Sequence, residues 1–153
     1  YHKFLEHYAF GEEVAGELVR MKKAGILSEE EGAMLNIGQL EKIAGISCLA
    51  ELKGKPCERE CRFLLSLTPE ESGASDGGTA IIYQGAIDLL FADENGYTIF
   101  DYKYSSLSAD ALKEKYRPQI ELYKDAVAKG RRVERNTVRA KIVNIRSAEA
   151  IEM

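Results

Sequence analysis

No stretch of this chain stays apolar long enough to span a bilayer, and no signal peptide precedes the first helical pattern. Cysteine is scarce. Cys48, Cys57 and Cys61 form an odd, poorly spaced set for disulfides. Cys57 and Cys61 also lack the second cysteine pair or neighbouring histidine that would complete a zinc site. They are read as structural thiols in a reducing, cytoplasmic setting. No G-x-x-x-x-G-K-S/T phosphate loop occurs, which excludes a nucleotide site of that type. There is no internal repeat, and no low-complexity stretch beyond one Ser/Gly-rich segment. An initiating methionine is lacking too: the chain starts at Tyr1 and reads as a piece of a longer polypeptide.

What is present fits one ordinary globular domain. The 153 residues suit a single core, and 45% apolar with 30% charged residues is a usual balance. The net charge of −4 is unevenly spread. Residues 108–146 carry eleven Lys/Arg against five Asp/Glu, whereas residues 1–76 carry nine against fourteen. A basic half joined to an acidic half allows one phosphate-tracking face, and equally a solvated helix face.

Residues 1–54 read as helical and residues 57–146 as a sheet-containing core. A loose helical stripe of Phe4, Leu5, Tyr8, Val14, Leu18 and Met21 predicts a helix over 2–23, stopped by Gly25. Ser28 with Glu31 is a capping box opening a second helix through Met34, Leu35, Ile37, Leu40 and Ile43, interrupted near Gly45. Strands are expected over 57–67, 79–91, 97–104 and 138–145, with a mobile loop over 70–78 and a short tail at the end. Pro118 predicts a short first turn from Ser108 and a main helix from near Arg117 to Gly130.

A two-residue Asn95-Gly96 turn would pair Glu94 with Tyr97, Leu90 with Asp101 and Asp88 with Lys103. Opposed residues share a sheet face, so Asp88, Asp101 and Lys103 converge; a four-residue loop preserves this, and a three-residue loop destroys it. Two carboxylates beside a lysine suit a hard divalent cation with waters and phosphate oxygens. They also suit a surface ion-pair ladder. The apolar runs around them tilt the balance toward a site, because charges inside such strands are costly unless paired or metal-bound. On the following helix Leu112, Tyr116, Gln119, Tyr123 and Val127 share a face. Gln119 there is either a core amide satisfied by backbone or a residue turned toward the site.

Gln84-Gly85-Ala86-Ile87-Asp88, Asp101-Tyr102-Lys103 and the run from Tyr116 to Tyr123 together resemble the nuclease domain of the AddA/RecB (RexA) helicase–nucleases, of the PD-(D/E)XK superfamily. His2-Lys3-Phe4-Leu5-Glu6 resembles the end of the family's G-x-x-x-H-x-x-L-E motif, and Arg59-Glu60-Cys61-Arg62-Phe63 its R-E-x-x-F strand. The resemblance covers nearly the whole chain, with the motifs in order. It implies an α/β restriction-endonuclease-like fold: a mixed central sheet flanked by helices, with an N-terminal helical segment.

The resemblance further implies a metal site of His2, Asp88, Asp101 and the Tyr102 main-chain carbonyl, taking Mg²⁺ or Mn²⁺. Lys103 would be the catalytic lysine, and Gln119 with Tyr123 the Q-x-x-x-Y pair that supports the site and contacts DNA. The implied partners are DNA, with single-stranded ends foremost, helicase domains of the same chain and a second subunit of AddB/RexB type; no membrane is involved. The implied task is end trimming in double-strand break repair and recombination. AddB-type relatives hold an iron–sulfur cluster through cysteines that mostly follow the helix; none follows Cys61, so no cluster is expected. His7 is read as structural. One departure is Tyr104-Ser105, where the family usually continues Thr-Asp. Two rivals remain open: a domain of this fold without turnover, serving DNA binding or assembly, and a stand-alone nuclease.

Overall fold

The computed structural model describes residues 1–68 and 80–153; the stretch read as a loop over 70–78 lies outside them, as does Thr79. Five strands form one sheet in the order β1 (Cys57–Leu67), β2 (Ile81–Asp93), β3 (Gly96–Lys103), β4 (Val138–Asn144), β5 (Glu149–Glu152). Neighbours run antiparallel except β3 and β4, which are parallel and joined through the helix α6 (Ala109–Arg131). A parallel pair needs such a crossover because a tight turn cannot return the chain to the same end. The sheet is mixed and flanked by helices, as the resemblance implied.

Alternation along the strands sorts side chains into two cores. Leu89, Phe100, Tyr102 and Val143 pack with Phe4, Leu5, Leu18, Met21, Leu40 and Ile43 of the N-terminal helices. Leu90, Ile99, Ala140 and Ile142 pack instead with Leu112, Ile120, Tyr123 and Val127 of α6. The helical-wheel face read around Gln119 is therefore the face that α6 lays on the sheet.

Several boundaries differ from the sequence reading. The expected helix over 2–23 is two helices, α1 (His2–His7) and α2 (Val14–Lys23), because Gly11 takes φ +87° and Glu13 caps the second through Gly16 N–H. The Ser28–Glu31 capping box is present, but it opens only α3 (Glu29–Ala33). Asn36 then caps a separate α4 (Ile37–Ala44), followed by the single turn α5 (Ser47–Ala50). α6 does not restart near Arg117; it runs unbroken through Pro118, which is exposed and so costs the helix one hydrogen bond without crowding the core. Its end is set not by Gly130 but by Arg132 at φ +56°, with Val133 N–H reaching back to Ala128 O. The expected tail is β5, an edge strand on β4.

The β2–β3 turn also differs. Asp93 pairs with Gly96, leaving Glu94 and Asn95 as the turn, and the register is shifted two residues from the expected one. Asp93 Oδ1 accepts from Asn95 N–H at 2.8 Å, and Gly96 takes φ +120° as the first residue of β3. A shift of two retains the side-chain parity, so Leu90 still shares a face with Ile99.

Candidate active site

The site forms where the central strands part. The β2–β3 ladder stops at Leu89–Phe100, and the β1–β2 ladder skips the Glu60–Asp88 pair. Both strands change face there. Ile87 and Leu90 lie on the α6 side although three residues apart, and Cys57 belongs to the N-terminal core while Cys61 and Phe63 belong to the α6 core. Glu60 carries the kink at φ +47°, a region costly for a residue with a Cβ. Where β2 leaves β3, the Asp88 carboxylate replaces a backbone acceptor: its Oδ2 accepts from Tyr102 N–H at 2.6 Å. Asp88 thus converges on Asp101 and Lys103 by a strand break as well as by alternation.

Asp101 is buried, 2% exposed, on the α6 side of β3. Lys103 Nζ donates to its Oδ1 at 3.0 Å and lies 2.7 Å from Oδ2, yet among the described residues Oδ2 has no aligned hydrogen bond. Burial pushes the Asp101 carboxyl above the usual carboxylate range against the pull of Lys103, and Asp88 adds to the rise. Lys103 also lies 4.8 Å from the centre of the Tyr116 ring. The Tyr102 hydroxyl points into the N-terminal core, and its main-chain carbonyl sits 2.8 Å from His2 Nε2.

Gln119 and Tyr123 meet on the α6 face: Gln119 Nε2 donates to Tyr123 Oη at 3.1 Å. That leaves Gln119 Oε1 buried without a partner among the described residues. Burial, with Asp101, Asp88 and Glu60 nearby, pushes the Tyr123 hydroxyl up to about 12. Tyr123 is in turn fixed by Phe63, edge-on at 5.5 Å, and Phe63 fills the space where Gly85 has no Cβ. A Cβ at Gly85 would come within 2.9 Å of that ring, which accounts for glycine at this position. His2, Asp88, Asp101, Lys103 and the Tyr102 carbonyl, with Gln119 and Tyr123 below them, therefore occupy one locality.

Two nearby residues were not singled out in the sequence. Glu60 faces the same cluster, and burial, then Asp88 and Glu6, raise its carboxyl. Its signal was the position opposite Asp88, visible only once the register is known. Arg59 donates to the carbonyls of Leu5, Glu6 and Tyr8, tying the end of α1, and with it His2, to β1. His7 stands apart from the cluster, 3.6 Å from the Glu6 carboxylate.

The donor chemistry fits a hard cation: two carboxylates, an imidazole and a carbonyl, with one buried carboxylate oxygen lacking an aligned hydrogen bond. Among the described residues, no three His, Cys, Asp or Glu side chains are gathered into a ready cage. The backbone carbonyl of Tyr102 is thus an essential member of any such donor set. Among the described residues, no helix is long and apolar enough to cross a membrane.

Residues 9–152 match the PD-(D/E)XK nuclease superfamily, a span that leaves His2 ahead of it. Curated relatives are named as the AddA-type chains of ATP-dependent helicase/nucleases. The protein of Clostridium perfringens (strain SM101 / Type A) is 31% identical over 141 residues, covering 84% of this chain and 11% of the relative. That of Bacillus cereus (strain AH187) is 27% identical over 150 residues, covering 84% of this chain and 12% of the relative. The chain thus spans only 11–12% of the length of these relatives. With the family matched over nearly its whole length and the fold in agreement, the chain belongs to the PD-(D/E)XK nuclease superfamily and is homologous to these AddA-type helicase/nuclease chains.

Proposed function

We propose that this domain is a divalent-metal-dependent deoxyribonuclease that hydrolyses phosphodiester bonds at DNA ends, with Mg²⁺ the intended ion and Mn²⁺ a substitute. The observation that carries the reading is the convergence of Asp88, Asp101, His2 and the Tyr102 carbonyl at the parting of β2 and β3. These four would hold the cation. Such an ion, when bound, lowers the pKa of a coordinated water and offsets charge on the scissile phosphate.

The remaining chemistry belongs to the chain. Lys103, held between Asp101 and the Tyr116 ring, presents its ammonium to the attacking water and to the charge that develops on phosphorus. Gln119 and Tyr123 position the carboxylates from below, and Gln119 Oε1 is an acceptor directed into the site. By homology the domain works in an ATP-dependent helicase–nuclease in the cytoplasm, beside helicase domains and a second subunit of AddB/RexB type, in double-strand break repair and recombination. A fold-only role in DNA binding or assembly has one observation in its favour: Lys103 and Tyr102 N–H already occupy the two carboxylates.

Digestion of single-stranded DNA with Mg²⁺ or Mn²⁺ separates the two. Wild type should cut, and Asp101→Ala and Lys103→Ala should each lose at least about a hundredfold, the scale of one transition-state contact. Inert wild-type protein that still binds the metal, or variants that cut as well as wild type, would sink the catalytic reading.

A further inference from the structure

We propose that Tyr104, backed by Tyr1, is a stacking platform for an unpaired base next to the phosphate being cut. This rests on the nuclease reading above and adds the form of the substrate, a single strand.

Tyr104 is 60% exposed although it directly follows the largely buried Lys103 at the end of β3. Its ring stacks on Tyr1, centroids 5.8 Å apart and planes 22° from parallel. The backing ring is held: the Tyr1 hydroxyl accepts from Asn36 N–H at 3.3 Å, at the start of α4. The backbone beneath Tyr104 is held as well. Lys103 O accepts from Ile145 N–H at 2.8 Å, and Ser105 N–H reaches the buried Asn144 side chain at 3.4 Å. The same Asn144 oxygen takes Arg146 N–H at 3.1 Å, which sets an exposed guanidinium-bearing residue on the strand end beside the pair.

The pair is joined by single peptide bonds to both sides of the metal donor set, Tyr1 to His2 and Tyr104 to Lys103. A flat aromatic face beside a phosphate-directed lysine and an arginine is the arrangement that holds single-stranded nucleic acid. Stacking accepts any base, because every base has a π-face, so the platform selects strandedness rather than sequence. A paired base in a duplex is already stacked and cannot occupy it without opening.

Binding is measured in EDTA, where cleavage is silent, with a short oligodeoxynucleotide carrying 2-aminopurine, read by its fluorescence and by anisotropy. Tyr104→Thr should weaken binding about tenfold, within the range for one stacked base, and Tyr104→Phe should bind as wild type does. In Mg²⁺ the same Tyr104→Thr change should raise KM with kcat nearly unchanged. Thermal melting should be unaltered, since the ring is exposed. An abasic position at the critical nucleotide should cost wild type the same tenfold and cost Tyr104→Thr nothing further. Equal affinity of Tyr104→Thr and wild type, with cleavage intact, overturns the platform and leaves the nuclease reading standing. A wild-type protein that neither binds nor cuts the oligonucleotide overturns both.

Discussion

Asp101 is the residue at which stability and chemistry pull apart. Burial raises its carboxyl above the ordinary range, so the metal-free fold prefers the protonated acid. The stability it contributes is complete below the unfolded pKa, about 3.9, and is lost as pH rises through the higher folded value. Asp101→Asn, which stays neutral, should therefore melt higher than wild type without metal at neutral pH, by an amount that vanishes toward acid, while abolishing cleavage. A melting series from acid to neutral pH checks this; a uniform loss of stability would contradict it. Glu17 has the opposite sign. It is buried, accepts from Arg20 and from Ala9 N–H, and the Arg20 hydrogen bonds hold its carboxyl below the usual range. Its contribution is present above the unfolded pKa and lost as pH falls through the folded one. Glu17→Ala should cost ~1.5–3 kcal/mol, the scale of hydrogen bonds to a charged group, measured by urea unfolding at neutral pH.

Among the elements, the strands were more legible than the helices. β1 reads correctly over 57–67 because its breakers, Pro56 and Thr68-Pro69, bracket an apolar run. The N-terminal helices were drawn too long because their apolar stripes stay in phase across breaks made by local capping. Glu13 and Asn36 cap from positions that look like ordinary surface residues. β5 escaped notice because four residues with one buried isoleucine carry almost no period. Two tests belong at this scale. A Cβ at Gly96 would lie 2.2 Å from Thr137 O at a φ of +120°, so Gly96→Ala should destabilise the fold by roughly 2 kcal/mol or more. Pro118→Ala should instead stabilise by about 1–2 kcal/mol, since it restores a helix donor on an exposed turn. Denaturant midpoints for the two variants should move in opposite directions.

For the whole molecule, the sheet separates two cores, and the site lies where its central strands part between them. Asp88, Asp101 and Lys103 were legible as a group because parity survives a two-residue register shift. The strand break at Glu60 and Asp88 was not, because alternation along either strand alone continues across it. His2 could not be placed by pattern either: it reaches the Tyr102 carbonyl across a sequence separation of 100 residues. Arg59 secures that approach by bonding the end of α1. The central claim is that these distant segments meet to hold one divalent cation. Calorimetric titration of Mn²⁺ into wild type and Asp88→Asn tests it most directly. The account predicts one site per chain in wild type and its loss, or a weakening of about tenfold or more, in the variant. Equal binding by both proteins, or none by wild type, would contradict it.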